Sequence, residues 1–308
     1  MTGRLLKNAG QFLLFIWAAG SLTFLLVRSI PGDPVLAILR QPRSEDVRRL
    51  QRTLQLEGPL GTQYIRFLGR LAILDLGNSL IDDRPVLRTI LAYLPNTLLL
   101  AMAALAFTVP LSLLLGFQSA FGKSRIWEVL GIGFSAVGLA VPVFLIGLFF
   151  VLVFAVGLKL FPVSGSGGAA FLVLPALTLG MTLGATLTRM VRAALLAESQ
   201  RPYVLLARAK GLSPTQVFRR HVFRNALLPV ITLVGLQAGA LFSGAIIVES
   251  LFSWPGIGTL LVTAVRQRDY PMVQGTVLLM AALYLMANTL VDLAYPLLDP
   301  RIRHDRNR

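Results

Sequence analysis

The sequence predicts an all-α, polytopic membrane protein with about six transmembrane helices. Of its 308 residues, 55% are hydrophobic and 14% are charged, whereas a soluble domain of this size carries roughly 25% charged residues. The hydrophobic residues form long runs rather than amphipathic stripes, and a run of about 18 or more residues can cross a bilayer. A soluble core does not require several such runs, so we treat residues 1–308 as a single transmembrane domain.

Six apolar runs are expected to be spans. The first run is expected to be an uncleaved helix and not a signal peptide, because no small-residue cleavage site follows it. Pro110, Pro142 and Pro175 lie inside predicted spans, where neighbouring helices can satisfy the carbonyls that proline frees. The predicted spans cover about 8–27, 96–121, 129–158, 171–188, 227–248 and 274–295.

The basic residues predict the topology. The formal net charge is +15, from 29 Lys and Arg against 14 Asp and Glu. These residues cluster between the apolar runs, which favours loop topology and attraction to lipid head groups over nucleic-acid binding. Because most basic residues of the short loops lie on the side of the two termini, the positive-inside rule predicts that both termini are cytoplasmic.

The long segment at about 30–95, between the first two spans, is predicted to form a small external subdomain. Ser44 is a candidate N-cap for a helical stretch over 44–54, and residues 63–74 have apolar side chains at helical spacing. Two roles fit this pattern. The subdomain is either a lip that contacts a delivery protein or substrate, or a structural plug.

The connection between the fourth and fifth spans, at about 198–226, is longer than joining two helices requires, because such connections usually run about two to eight residues. Pro202 suits the first turn of a helix, and Gly211 suits the left-handed position that ends it. Ser213 and Gln216 match a capping box, which predicts a second helix. The expected apolar faces consist of Tyr203, Leu206 and Ala207 in the first helix and of Val217, Phe218, His221 and Val222 in the second.

This helix–turn–helix admits two interpretations. If it is rigidly attached to the adjacent spans, it is a lever that a cytoplasmic partner can grip to tilt them, as alternating access requires. Alternatively, it is a basic amphipathic hairpin that lies on anionic lipid. The residue pattern leaves both open.

Polar side chains at membrane depth are candidates for a translocation path or gate. They are Gln237 in the fifth span, Glu249 at its outer end and Asn288 in the sixth span. Interhelical hydrogen bonding is the alternative for Asn288, and simple solvation is the alternative for Glu249. Asp269 is expected to form an external ion pair with Arg266 or Arg268, worth under about 1 kcal/mol.

Catalytic and metal sites are not expected. The sequence has no phosphate-binding loop of the Gly-x4-Gly-Lys-Ser/Thr type, so the chain itself is not expected to hydrolyse ATP. The only histidines are His221 and His304, which argues against a histidine metal site or a catalytic triad. Cysteine is absent, which excludes disulfides and thiolate metal sites.

Eight short fragments, in order along nearly the whole chain, resemble permeases of ABC importers, in particular the first permease of the dipeptide/oligopeptide/nickel branch. They are PGDP at 31–34, DLGNS at 75–79, LPNT at 94–97, ARAKGLS at 207–213, NALLPVIT at 225–232, ESLFSWPGIG at 249–258, RDYP at 268–271 and DPRIR at 299–303. One departure stands out. Leu205, Leu206 and Ala207 occupy the places where the general importer signature has a glutamate and two alanines.

The resemblance implies a membrane-spanning subunit that provides the path for short peptides, with nickel or a metal–metallophore complex as the alternative cargo. It implies a bacterial or archaeal inner membrane, a second homologous permease, an extracytoplasmic binding protein and two separate ATPases, which carry ATP and Mg²⁺. The ATPase groove would receive the loop from about 202 to 221, with Gly211 as the pivot. The residues implied in coupling are Tyr203, Ala207, Arg208, Ala209, Lys210, Gly211, Leu212, Ser213 and His221.

Two other classes remain as alternatives. A stand-alone secondary carrier or channel would show inverted repeats, broken helices and buried charges. The predicted spans carry few charges, and no internal repeat is evident. A membrane-embedded enzyme would need paired catalytic residues at one depth, and none stands out.

Overall fold

The computed structural model describes residues 2–29 and 59–298. In those ranges the chain is almost entirely helical, with one isolated antiparallel bridge between Asn78 and Pro85, so the predicted all-α polytopic membrane fold is confirmed. The helices are α1 Thr2–Ser29, α2 Leu60–Ala72, α3 Val86–Phe121, α4 Arg125–Ala140, α5 Val143–Phe150, a π-helical segment π1 Val151–Gly157, α6 Ala169–Ser199, α7 Pro202–Ala209, α8 Pro214–Val217, a second π-helical segment π2 Phe218–Phe223, α9 Arg224–Phe252, α10 Ile257–Gln267 and α11 Tyr270–Leu298.

Three of the described helices are long and apolar enough to cross a membrane: α3, α6 and the part of α11 from Tyr270 to Val291. The number rises to five if each of two bent helix pairs counts as one span. The apolar part of α1, Gly10–Leu26, is shorter. Several spans in one chain are what a multi-pass membrane protein requires.

The prediction of one continuous helix over 129–158 is wrong. The helix axis changes direction by 117° between α4 and the next helical stretch, which covers Val143–Gly157. Pro142 stands at the turn as the N-cap of α5, in an extended conformation. A proline lacks the N–H that would continue the helix and disfavours helical geometry in the residue before it, Val141, so the helix breaks instead of tolerating the proline.

The second predicted span also begins earlier than expected, at Val86 rather than at about 96. Val86 and Ile90 are fully buried. Both lie against Gly275 of α11, where a Cβ would collide with them. Buried packing of this first part of α3 extends the helix through Pro95.

The described residues form two compact units. One takes its residues from 1–97 and 255–285, and the other from 98–254 and 286–308. In the first unit, Phe24 of α1 packs against Tyr64 and Phe67 of α2 at ring-centroid distances of 5.2 and 5.4 Å. The helix predicted over 63–74 therefore exists as α2, whereas the stretch at 44–54 lies outside the described residues.

Asp269 belongs to the first unit and overturns the expectation of an external ion pair. It is only 3% exposed. Its carboxylate accepts hydrogen bonds from the hydroxyl of Ser79 (2.5 Å), from the backbone N–H of Leu80 (3.3 Å) and, at the start of α11, from that of Met272 (3.3 Å). We call these four residues the Asp269 clamp. The carboxylate caps α11, where the helix dipole favours negative charge, and holds the loop before α3.

The core of the second unit lies between α3, α6 and α9. Small residues of α4 let it approach α3 and α6 closely, as predicted for membrane helices. A Cβ at Gly138 of α4 would meet Ala185 of α6, and one at Gly131 would meet Ser119 of α3. The fully buried side chains of this core include Leu100, Ala104, Leu174, Ala176, Leu187, Ala245, Val248 and Phe252.

Candidate functional site

We call residues 201–223 the hairpin; it consists of α7, a turn, α8 and π2. Arg201 precedes α7 in an extended conformation, and Pro202 is the first helical residue. Lys210 ends the helix, and Gly211 follows with a φ of +81°. A glycine adopts this left-handed conformation without the strain that a Cβ introduces, so the predicted helix end is confirmed.

The predicted capping box is also present. The backbone N–H of Gln216 donates to the Ser213 hydroxyl (3.4 Å), and the Gln216 side chain accepts from the Ser213 N–H (3.1 Å). The helix that begins here at Pro214 does not stop before the fifth span. It passes through π2 and continues as α9, so the second arm of the hairpin and the first part of the span form one helical segment, which ends at a 51° bend after Gln237.

The hairpin is anchored by apolar packing. Val204, Ala207, Val217 and Val222 are buried in the core of the second unit. The ring of Phe218 lies 5.2 Å from that of Phe117 and 5.7 Å from that of Phe121, both in the last turns of α3. The hairpin is therefore fixed to α3 as well as to the two helices that it connects.

The predicted apolar face of α7 is partly wrong. Val204 and Ala207 are the buried residues, whereas Leu206 is 57% exposed. Leu205 is 58% exposed and lies beside it. Two adjacent leucines that face away from the core form an apolar surface that a partner can cover. The charged residues around it are exposed as well: Arg208, Lys210, Arg219 and Arg220.

Tyr203 connects three parts of the structure at the base of the hairpin. Its hydroxyl donates to the carboxylate of Glu198 at the end of α6 and accepts from the side-chain amide of Asn225 in α9 (2.9 Å). The carbonyl of His221 lies 3.4 Å from the same oxygen. Burial, followed by the hydrogen bond to Glu198, raises the pKa of Tyr203 above its usual 10.0, so the hydroxyl keeps its proton.

The other residues implied in coupling occupy different positions. Arg208, Ala209, Lys210, Gly211 and Ser213 are exposed, at the end of α7 and in the turn that follows it. Leu212 and His221 are half-buried, and the His221 ring lies 6.2 Å from that of Tyr203. Ala207 faces inward and contributes packing rather than surface. The roles of Val204, Glu198 and Asn225 were not predicted.

The candidate path residues Gln237 and Glu249 lie far apart on the same helix, α9. Glu249 is fully buried, so simple solvation is wrong for this residue. Gln237 is half-buried, immediately before a 51° bend in α9. Twelve residues separate these two side chains on the same helix, a rise of about 18 Å along a straight helix. Asn288 is half-buried in α11.

Comparison with known proteins gives a consistent result. The family of binding-protein-dependent transport system inner membrane components matches residues 108–304. The di/tripeptide transport system permease protein DppB of Pseudomonas aeruginosa (strain UCBPP-PA14) is 37% identical over 97% of this chain and 98% of its own length. The glutathione transport system permease protein GsiC of Pectobacterium atrosepticum is 37% identical over 92% of this chain and 93% of its own.

The dipeptide transport system permease protein DppB of Escherichia coli (strain K12) is 34% identical over 92% of this chain and 94% of its own. Among solved structures, that of an amino acid ABC transporter with histidines matches with a TM-score of 0.53 and 15% identity, covering 70% of this chain and 94% of that one. This likeness shows a shared fold. By sequence and fold together, the chain belongs to the binding-protein-dependent transport system inner membrane components and is the permease subunit of such an importer.

Proposed function

We propose that this permease carries short peptides across the cytoplasmic membrane by alternating access driven by separate ATPase subunits. The names of the relatives support peptide cargo: di- and tripeptides, glutathione and dipeptides. All three are short peptides or peptide-like, which favours a peptide over nickel or a metallophore. The relatives match over nearly their whole length, so the comparison extends to the whole subunit.

The proposed orientation places the hairpin and both termini in the cytoplasm of a bacterial cell. The hairpin and the neighbouring ends of α3, α4 and α6 carry many exposed basic residues, among them Lys123, Arg125 and Arg189. Short loops rich in Lys and Arg stay on the cytoplasmic side. In this orientation α2 is external, where the exposed Ile65 is available to a substrate-binding protein.

The hairpin is proposed to dock into an ATPase. The observation that carries this proposal is the exposed pair Leu205 and Leu206 on the hairpin, which connects the long apolar helices α6 and α9. These positions lack the acidic residue of the general importer signature, so apolar contact takes the place of a salt bridge. Burial of a leucine stabilises a complex by roughly 1.5–3 kcal/mol relative to leaving it exposed.

The base of the hairpin supplies the mechanical connection. Tyr203 bonds to residues of α6 and α9, and the second arm continues directly into the part of α9 before its bend after Gln237. A displacement of the docked hairpin therefore moves both helices, which is what alternating access driven from outside the membrane needs. The complete importer is proposed to contain a second homologous permease, two ATPases that bind ATP and Mg²⁺, and an extracytoplasmic binding protein.

The coupling proposal can be tested at Gly211. A Cβ at this position meets no atom within 4 Å, so substitution acts through the positive φ alone. Gly211→Val introduces a β-branched residue that disfavours this conformation, whereas Gly211→Asn is the matched control because asparagine tolerates it. We expect Gly211→Val to lose peptide-stimulated ATPase activity in the reconstituted importer and Gly211→Asn to retain most of it.

The readout is the ATPase rate with the binding protein loaded with a dipeptide, with a tripeptide or left empty. Stimulation by either peptide supports the proposed cargo. Equal rates with loaded and empty binding protein would contradict peptide import. If Gly211→Val assembles normally and its ATPase rate is stimulated normally, the conformation of the hairpin at Gly211 is not needed for coupling.

A further inference from the structure

A groove in the second unit, between α4, α6 and the end of α3, has no assigned role. Its volume is about 300 Å³. Arg192 and Ser119 line it near the hairpin, Arg189 follows, and Ile132 and Leu139 lie along α4. The groove follows α4 over Gly131–Leu139, a rise of about 12 Å.

The register between α4 and α6 shows where the polar and apolar parts of the groove lie. Arg192 of α6 bonds to Glu128 of α4 (2.8 Å), and Gly138 of α4 contacts Ala185 of α6. The helices are therefore antiparallel, with the arginines at the hairpin end and Leu139 nearest the membrane interior. A molecule in this groove meets cations at one end and hydrocarbon at the other.

Arg189 is the cation available to a ligand. Arg192 is held by Glu128 and by the backbone carbonyl of Ser119 (3.2 Å). Within the described residues, no hydrogen bond or ion pair engages Arg189, and its side chain is exposed. The net charge around the groove is positive, because Glu128 offsets only one of the two arginines.

Thr188 supplies a second, independent observation. It lines the groove and is 1% exposed, yet its hydroxyl is one of the few buried polar atoms without a partner among the described residues. A helical threonine usually bonds to the carbonyl four residues earlier. Here that carbonyl, of Gly184, accepts from the hydroxyl of Ser112 (3.1 Å). A buried hydroxyl without a partner is costly, and a ligand oxygen at the groove would satisfy it.

We propose that this groove binds the phosphate group of an anionic phospholipid, with its glycerol and upper acyl chains along Ile132 and Leu139. Arg189 pairs with the phosphate, and the Thr188 hydroxyl donates to one of its oxygens after a small rotamer adjustment. Basic pockets between membrane helices on the cytoplasmic side are suited to such head groups. The ligand chemistry is a phosphate attached to a hydrocarbon chain.

The test uses the full-length permease in nanodiscs of one part phosphatidylglycerol to three parts phosphatidylcholine, with retained lipid counted by native mass spectrometry after detergent exchange. We expect Arg189→Gln to retain phosphatidylglycerol about fivefold more weakly, since a basic residue near the surface is worth about 1 kcal/mol of attraction. Arg189→Lys should retain most of the binding. Arg125→Gln is the matched control, because Arg125 is exposed at the start of α4 and does not line the groove.

Two further variants sharpen the result. Glu128→Gln removes the carboxylate that holds Arg192, so lipid retention should rise. Thr188→Val keeps the shape of the side chain and removes the hydroxyl, so retention should fall.

Three outcomes would overturn the proposal. Arg189→Gln and wild type could retain equal amounts of phosphatidylglycerol. Millimolar inorganic phosphate could displace phosphatidylglycerol from the wild-type permease, which would assign the groove to a free anion. A photo-crosslinker at Ile132 could label the second permease of the assembled importer instead of lipid, which would make the groove a subunit contact.

Discussion

The hairpin and the Asp269 clamp both join parts of the chain through local contacts, but they differ in what they leave exposed. The clamp buries a carboxylate and pairs its oxygens with three donors. The hairpin buries its valines and turns Leu205 and Leu206 outward. The clamp therefore satisfies its own polar groups within the chain, whereas the hairpin leaves an apolar surface uncovered, which we propose that an ATPase covers.

The largest effect is expected at the clamp. Asp269→Ala leaves the N–H groups of Leu80 and Met272 and the hydroxyl of Ser79 without their acceptor. Hydrogen bonds to a charged group contribute roughly 1.5–3 kcal/mol each, and they are not additive, so we expect a loss of about 3 kcal/mol. The measurement is the thermal unfolding midpoint in detergent.

Asp82→Ala is the matched control for that experiment. Asp82 forms an exposed ion pair with Arg84 at 3.4 Å, and exposed pairs contribute between 0 and about 1 kcal/mol. Equal midpoints for the two variants would mean that the clamp does not hold its loop.

The next effect concerns binding rather than folding. The double substitution Leu205→Ser and Leu206→Ser removes exposed apolar surface, so the free permease should unfold at its usual temperature. ATPase association should weaken by about ten- to a hundredfold, as expected for the loss of 1.4 to 2.8 kcal/mol. The measurement is the dissociation constant of the permease–ATPase complex in nanodiscs. Val204→Ser changes a buried neighbour, so it should mainly lower the unfolding temperature of the free permease and change ATPase binding less.

Tyr203→Phe tests the mechanical connection between the hairpin and its two helices. The ring remains, and the hydrogen bonds to Glu198 and Asn225 are lost, at a cost of roughly 1–2 kcal/mol. We expect normal ATPase binding together with more ATP consumed per peptide transported, because a loosened base transmits less of the motion. An unchanged ratio of ATP hydrolysed to peptide transported would mean that Tyr203 contributes to local stability and not to the transmission of motion.

The smallest effect is a pH dependence in the loop before α3. The side chain of Arg70, followed by the backbone N–H of Gly77, lowers the pKa of Asp75 below its usual 3.8. Stability from this contact is therefore present above pH 3.8 and is lost as the pH falls through the lowered pKa. Both partners are partly exposed, so the loss is under about 1 kcal/mol. Asp75→Asn should abolish this acid-side change in the unfolding midpoint.

The hairpin shows which features the sequence could predict. Gly211 and the capping box of Ser213 and Gln216 were predictable, because their conformations depend on neighbouring residues. The buried face of α7 was not, because two helical turns give too short a pattern for its periodicity to separate Val204 from Leu206. Val217 and Val222 are both buried at a spacing of five residues, which suits a π-helical segment rather than the α-helix that was expected.

Features that depend on distant residues were also missed. The carboxylate of Asp269 pairs with Ser79, which is far away in the sequence, so the neighbouring arginines were a misleading signal. Pro142 was expected to be accommodated within a span, but whether a proline bends or breaks a helix depends on the packing of its neighbours. The groove beside Arg189 exists only because α4 and α6 are antiparallel at that register.

The most direct test of the central claim is site-specific photo-crosslinking from position 206 in the assembled importer. We expect a crosslinker at Leu206 to label an ATPase subunit in high yield, and a control at the exposed Val129 of α4 to leave it unlabelled. If position 206 labels only lipid or this same chain while the importer hydrolyses ATP and transports peptide, the hairpin is not the surface that the ATPase holds.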